Sequence, residues 1–217
     1  MWKENKNILA GKDLEKGGIW LGVNIEKQRF SVLTNYRNPK LLDDNNESRG
    51  MLGLDFLLFK DSIYKWRGNI NKKKYNPFNL VFGNFDELYY FNNLNKKFKK
   101  LDYGIYTLSN GFLNESWPKT EKLKKMFLNT VKSDFSIEDL VNIMKDEEKF
   151  PYEKLPHTNI SKEMEYFLSS IFIKGEKYGT GTTTVITVDY DNILNFTEIS
   201  YNNKKEIINR FDITIKL

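Results

Sequence analysis

The 217-residue chain carries a formal net charge of +5, 16 Phe and 12 Tyr, one histidine and no cysteine. Its length suits one domain with a sizeable core, and its aromatic content excludes a disordered chain. The lack of cysteine excludes disulfides, thiolate zinc sites and a thiol nucleophile within this polypeptide, and one histidine excludes a multi-histidine metal site.

No apolar run approaches the ~20 residues that span a bilayer. The opening Met1-Trp2-Lys3-Glu4-Asn5 has no apolar stretch of the signal-peptide kind, so the expected location is cytoplasmic. Lysine falls in short runs, such as Lys72-Lys73-Lys74 and Lys96-Lys97, interspersed with acids. No nucleic-acid motif accompanies them, and they read as solvated surface rather than a nucleic-acid patch.

Residues 1–16 are polar and read as irregular around Ile8-Leu9. Residues 17–37 form the most ordered stretch: two aromatic and β-branched segments separated by Glu26-Lys27-Gln28-Arg29, a β-hairpin. The second segment ends in Thr34-Asn35-Tyr36-Arg37, where amide, phenol and guanidinium meet as a strand enters a loop, a common place for ligand chemistry. Ser48 is placed to cap a helix through Phe59, and Ser62 to start a shorter one carrying Trp66.

Strands are then expected over 78–83, 87–91 and 104–109, the last two as neighbours in an antiparallel sheet. Pro118 suits the first turn of a helix bearing Leu123, Met126, Phe127, Thr130 and Val131 on one face, with Trp117 as a buried anchor at its start. Ser136 with Asp139 opens another helix, and a short one covers 162–166. Strands over 170–173, 183–188, 194–201 and 207–215 close the chain. The order implies an α+β fold with two layers of antiparallel sheet and helices outside.

Several tempting motifs fail on context. Tyr178-Gly179-Thr180-Gly181-Thr182-Thr183-Thr184 opens a strand, not the helix that a phosphate loop needs, and it lacks the lysine. A calcium loop beginning at Asp189 would need Glu where Ser200 stands. His157, directly after Pro156 in a polar loop, reads as a surface residue rather than a haem ligand or base. Asn35 and Asn110 both end strands. Each could donate to an oxyanion, yet spacing alone favours Asx turns.

Eight motifs occur in an order that resembles the NRDE family, best known from the transport and Golgi organisation 2 proteins. They are Gly17-Gly18-Ile19-Trp20-Leu21-Gly22, Leu33-Thr34-Asn35-Tyr36-Arg37, Ser48-Arg49-Gly50, Tyr75-Asn76-Pro77-Phe78-Asn79-Leu80, Leu108-Ser109-Asn110, Trp117-Pro118-Lys119, Tyr178-Gly179-Thr180 and Phe196-Thr197-Glu198. The resemblance covers the whole chain. It implies an αββα sandwich like that of N-terminal-nucleophile hydrolases, one domain over 1–217 whose first strands lie upstream, and Asn110 and Asn35 as oxyanion positions. Arg37, Tyr36, Trp20 and Arg49 are its candidate binding residues, with no metal.

The chain departs from the pattern: no initiating Cys, no Asn-Arg-Asp-Glu, Gly181 in place of Arg, and Ile199 where an Arg often follows. The resemblance therefore implies an incomplete hydrolase site, inactive as it stands. An upstream cysteine segment would make it a cysteine-dependent amide or thioester hydrolase. The alternative is a non-catalytic haem or acyl-group carrier, with haem the candidate cofactor. A third is a purely structural remnant. The expected partners are a small-molecule ligand or acyl substrate and a second copy of the chain, paired through a sheet edge left open in the 17–37 hairpin.

Overall fold

A computed structural model describes residues 2, 5–68, 70 and 74–217. The chain divides into two compact units, one of Met1–Gly104 with Leu108–Leu113 and one of Ile105–Thr107 with Asn114–Leu217. Every ladder of the two sheets is antiparallel, and among the described residues no helix is long and apolar enough to cross a membrane.

The first unit is built on a six-stranded sheet of β1 (Ile8–Ala10), β2 (Leu21–Asn24), β3 (Arg29–Asn35), β4 (Phe78–Asn84), β5 (Leu88–Asn92) and β6 (Lys97–Lys100), in that order. Two helices, α1 (Gly50–Leu58) and α2 (Ile63–Arg67), interrupt the strands. Alternate strand residues Leu33, Phe78, Leu80, Phe82 and Phe91 join Leu52, Phe56, Leu57 and Trp66 of the helices in one buried cluster, as the two-residue strand period dictates.

Helix α1 is fastened at both ends. At its start, Gly18 lies so close that a Cβ there would fall 2.4 Å from the Gly50 carbonyl carbon, and Ile19 N donates to Gly50 O. Ser48 is not the cap: Arg49 occupies that position and no side chain caps the helix. At its C-terminal end, the buried Asn24 donates Nδ2 to Leu57 O at 2.9 Å, and Lys27 Nζ reaches Leu58 O and Phe59 O. Arg29 donates Nη1 to Phe56 O. Cations at a helix C-terminus meet both its orphan carbonyls and its dipole. Desolvation lowers the pKa of both Lys27 and Arg29 there.

Three further expectations are corrected. Ile8-Leu9 is not irregular: it forms β1 and pairs with Val23 and Asn24 of β2. The hairpin therefore lies inside the sheet, with β1 on one side and β4 on the other, and presents no open edge. Residues 104–109 form no strand; β5 pairs instead with Lys97–Lys100. In that stretch Thr107 exchanges hydrogen bonds with Asn114, whose side-chain oxygen accepts from Thr107 N and whose own N–H reaches Thr107 O. That local side-chain alternative replaces a ladder.

The second unit carries a three-stranded sheet of β7 (Thr182–Val188), β8 (Ile193–Tyr201) and β9 (Ile207–Lys216), with α3 (Pro118–Thr130), α4 (Ile137–Ile143) and α5 (Lys162–Phe167). Trp117 is buried at the N-cap of α3, and Ser136 with Asp139 forms the expected capping box of α4. Phe127 of α3 and Val131 at its C-cap join Leu140 and Val141 of α4 against Val185, Ile199 and Tyr201. Residues 170–173 are again not a strand: Phe172 N goes to Asp146 O, and Ile173 pairs with Thr180 through its hydroxyl and its N–H.

Candidate functional site

β3 ends at Asn35, opposite Phe78 at the start of β4. Tyr36 and Arg37 leave the ladder there, but their N–H groups keep partners: Tyr36 N donates to Pro77 O at 3.1 Å and Arg37 N to Asn110 O at 2.7 Å. Asn110 reaches this point because side chains tie residues 108–113 to the sheet. Thr34 Oγ1 donates to Ser109 O at 2.8 Å, Asn79 Nδ2 to Gly111 O at 2.8 Å, and Leu113 N to the Tyr90 hydroxyl at 3.2 Å.

The hub of this arrangement is Asn79, which is fully buried. Its Nδ2 donates to Thr34 Oγ1 as well as to Gly111 O, and its Oδ1 accepts from the Tyr90 hydroxyl at 2.7 Å and from Asn92 Nδ2 at 2.8 Å. A carboxamide has two donors and two acceptor lone pairs, so Asn79 is saturated. A second asparagine clamps the loop before β4: Asn93 Oδ1 accepts from Phe78 N, and its Nδ2 donates to Tyr75 O.

The structure brings Asn35, Asn110 and Arg37 together. Asn110 Nδ2 donates to the Asn35 carbonyl at 2.9 Å, and Asn110 Oδ1 accepts from Arg37 Nη2 at 3.2 Å. The Asn35 side-chain oxygen is shielded from solvent with no hydrogen-bond donor against it among the described residues. Arg49 joins the same end of the sheet through Pro77, whose carbonyl accepts from Arg49 Nη1 at 3.1 Å. Desolvation lowers the Arg49 pKa, but a guanidinium stays charged. The Tyr36 ring meets Phe112 with centroids 4.8 Å apart. Trp20 is 45% exposed and is tied in through its carbonyl, which accepts from Leu33 N. His157 is exposed in the second unit.

Asn79, Thr34, Tyr90 and Asn93 are the residues to which reading the chain gave no site role, although Thr34 and Asn79 stand inside two of the family motifs. One signal was available for Asn79, an amide inside the otherwise apolar Phe78-Asn79-Leu80-Val81-Phe82. A polar group in such a strand must find partners or cost stability. The chemistry of the site is donor-rich. Guanidinium and carboxamide groups suit a carbonyl or carboxylate oxygen, and the nearby Thr34 hydroxyl is already engaged with Ser109 and Asn79.

Antiparallel sheets, few helices and an amide–guanidinium cluster at a strand end define a mixed α+β protein with a polar site on its larger sheet. The chain belongs to the transport and Golgi organisation 2 family, whose sequence model matches residues 1–203 and so spans every site residue above. The human transport and Golgi organization protein 2 homolog is 31% identical over 94% of this chain and 80% of its own length. The bovine homolog is 30% identical over 92% of this chain and 79% of its own length.

Proposed function

We propose that the sheet end around Asn35, Arg37 and Asn110 binds the carbonyl of an acyl group, as an amide or thioester, and that these 217 residues do not turn it over. The observation that carries this reading is the Asn110 carboxamide, bonded at once to the Asn35 carbonyl and to the Arg37 guanidinium. That pairing fixes a carboxamide and a cation side by side at the mouth of two strands. Oriented donors of this kind hold a carbonyl oxygen or a developing oxyanion. The family resemblance to N-terminal-nucleophile hydrolases points to the same ligand class. The nucleophile that the family pattern implies is a cysteine, which this sequence does not contain.

The test is a thermal-shift screen with acyl thioesters, acyl amides and haem, run beside a hydrolysis assay. A ligand that binds only the folded state at a hundred times its Kd adds about 2.7 kcal/mol to apparent stability. For a chain of this size that corresponds to a rise of roughly 5–10 °C in Tm. The expected result is such a rise with acyl compounds, absent in Arg37→Met, and no hydrolysis. Turnover by this chain would overturn the non-catalytic part of the reading. A shift with haem alone would replace the acyl ligand with a cofactor.

A further inference from the structure

The opposite end of the six-stranded sheet contains a separate cavity. Strand register sets Phe82, Tyr89 and Lys100 in one row across β4, β5 and β6, with Phe98 two residues along β6 from Lys100 and so on the same face. The short helix α2 covers this corner. Its Trp66 is driven into the core, 4.8 Å from the Phe56 ring and 5.1 Å from that of Phe82. Ile63, Tyr64 and Arg67 of the same helix stand above the row without filling the space. The result is a cavity of about 270 Å3 between helix and strands. It adjoins a shallower basin of about 490 Å3 that reaches Gly68 and Lys96.

The chemistry of these walls is uneven. Four of the side chains are aromatic, Tyr64, Phe82, Tyr89 and Phe98, and Ile63 adds an aliphatic surface. The polar groups already present are largely spent on one another. Tyr89 OH donates to Glu87 Oε2 at 3.1 Å and meets Tyr64 OH at 3.2 Å, while Lys100 Nζ takes the other Glu87 oxygen at 2.5 Å. Arg67 is different. Its guanidinium lies 4.4 Å from the Phe98 ring centroid, and among the described residues it makes no hydrogen bond or ion pair. Lys96 stands beside it, held by its backbone in a left-handed turn.

A ring-lined slot next to a stacked guanidinium whose donors have no partner among the described residues matches one ligand chemistry. The geometry points to a binding site for a small aryl anion, a carboxylate or phosphate carried on a flat aromatic body. The aromatic walls take the body by stacking. Arg67 and Lys96 take the anionic group, Arg67 through paired N–H donors in its planar fork. Glu87 does not oppose this, because Lys100 neutralises it. The site is built by α2 and β4–β6 and shares no residue with the Asn35–Arg37–Asn110 cluster.

The test is a titration of 15N-labelled protein followed by NMR, with 1-naphthyl phosphate, 1-naphthoate, neutral 1-naphthalenemethanol and inorganic phosphate as probes. Both aryl anions should shift Tyr64, Arg67 and Phe98 signals saturably, and bind about tenfold tighter than the neutral alcohol or inorganic phosphate, as expected of a charge-assisted contact. Arg67→Met keeps a flexible stem over Phe98 and removes the charge. It should weaken both anions about tenfold and leave the alcohol unchanged. Tyr64→Ser, at a position 67% exposed and so tolerant of change, should weaken all three aromatic probes. Equal affinity for alcohol and anions, full anion affinity in Arg67→Met, or shifts confined to Asn35 and Asn110 would each overturn the assignment. So would absence of binding up to about 10 mM, a Kd too weak to mean recognition.

Discussion

The two ends of the larger sheet are held together by different physics. At the end where β3 gives way to Tyr36, carboxamides do the work: Asn79, Asn93 and Asn110 join strand, loop and the 108–113 segment through directional bonds. At the other end, rings pack edge to face, and an exposed ion pair and a stacked arginine sit at the surface. Directional bonds set positions to a fraction of an ångström and fail when one partner is lost. Ring packing leaves more latitude, because dispersion does not specify direction. The amide end is therefore suited to holding reactive geometry, and the aromatic end to admitting a guest.

This contrast can be broken most sharply at its hub. Asn79→Leu removes four hydrogen bonds at a fully buried position. Stranding several buried partners should cost about 3–5 kcal/mol, read as a lower urea midpoint with unchanged slope. A loss below about 1 kcal/mol, the worth of one ordinary hydrogen bond, would show that the network is not what holds this end together. Next in size is Gly18→Ala, whose Cβ would collide with the backbone at the start of α1. Overpacking of this kind costs about 1–3 kcal/mol. The same experiment should show it, together with a weaker acyl response, because Arg49 moves with the helix start. Asn110→Ala removes two half-buried bonds and should cost about 1–2 kcal/mol, while leaving the aryl-anion probes unaffected.

The smallest effect belongs to the surface pair at the aromatic end. Lys100, then Tyr89, hydrogen-bonds Glu87 and holds its carboxyl below the ordinary range. The pair's contribution is thus present above the unfolded carboxyl pKa of about 4.3 and is lost as pH falls through the lower folded value. Glu87 in turn raises the Lys100 pKa, so that share disappears only as pH rises through the elevated amine value, above about 10.4. Glu87→Gln should flatten the acid limb of a stability-against-pH curve and leave neutral stability almost unchanged, as screened exposed pairs do. A large loss at neutral pH would mean that the pair is structural.

The chain announces those parts of the fold whose signals are local. The α4 capping box, the Trp117 anchor and the β7–β9 meander all follow from short-range pattern. What it hides depends on distant partners. Lys97–Lys100 looks like solvated lysine surface, yet it is an outer strand, a place where lysines are favoured because they discourage further pairing. Residues 104–109 have strand composition, but Asn114 supplies a local alternative to the ladder. β1 is three residues long, too short for alternation to show. At the site, Asn35 and Asn110 were legible as a pair, though of the two only Asn35 ends a strand. The hub Asn79 was not, because its four partners come from 34, 90, 92 and 111 and meet only in the folded sheet.

The central claim is that Arg37 and Asn110 act as one unit on an acyl carbonyl. Its most direct measurement is a titration of the protein with an acyl thioester, observed through the side-chain N–H signals of Arg37 and Asn110. Both should shift together, saturably and with one Kd, and the Arg37 response should vanish in Asn110→Ala while the fold persists. Shifts at Arg37 that survive in Asn110→Ala, or a saturable response that bypasses both residues, would contradict it.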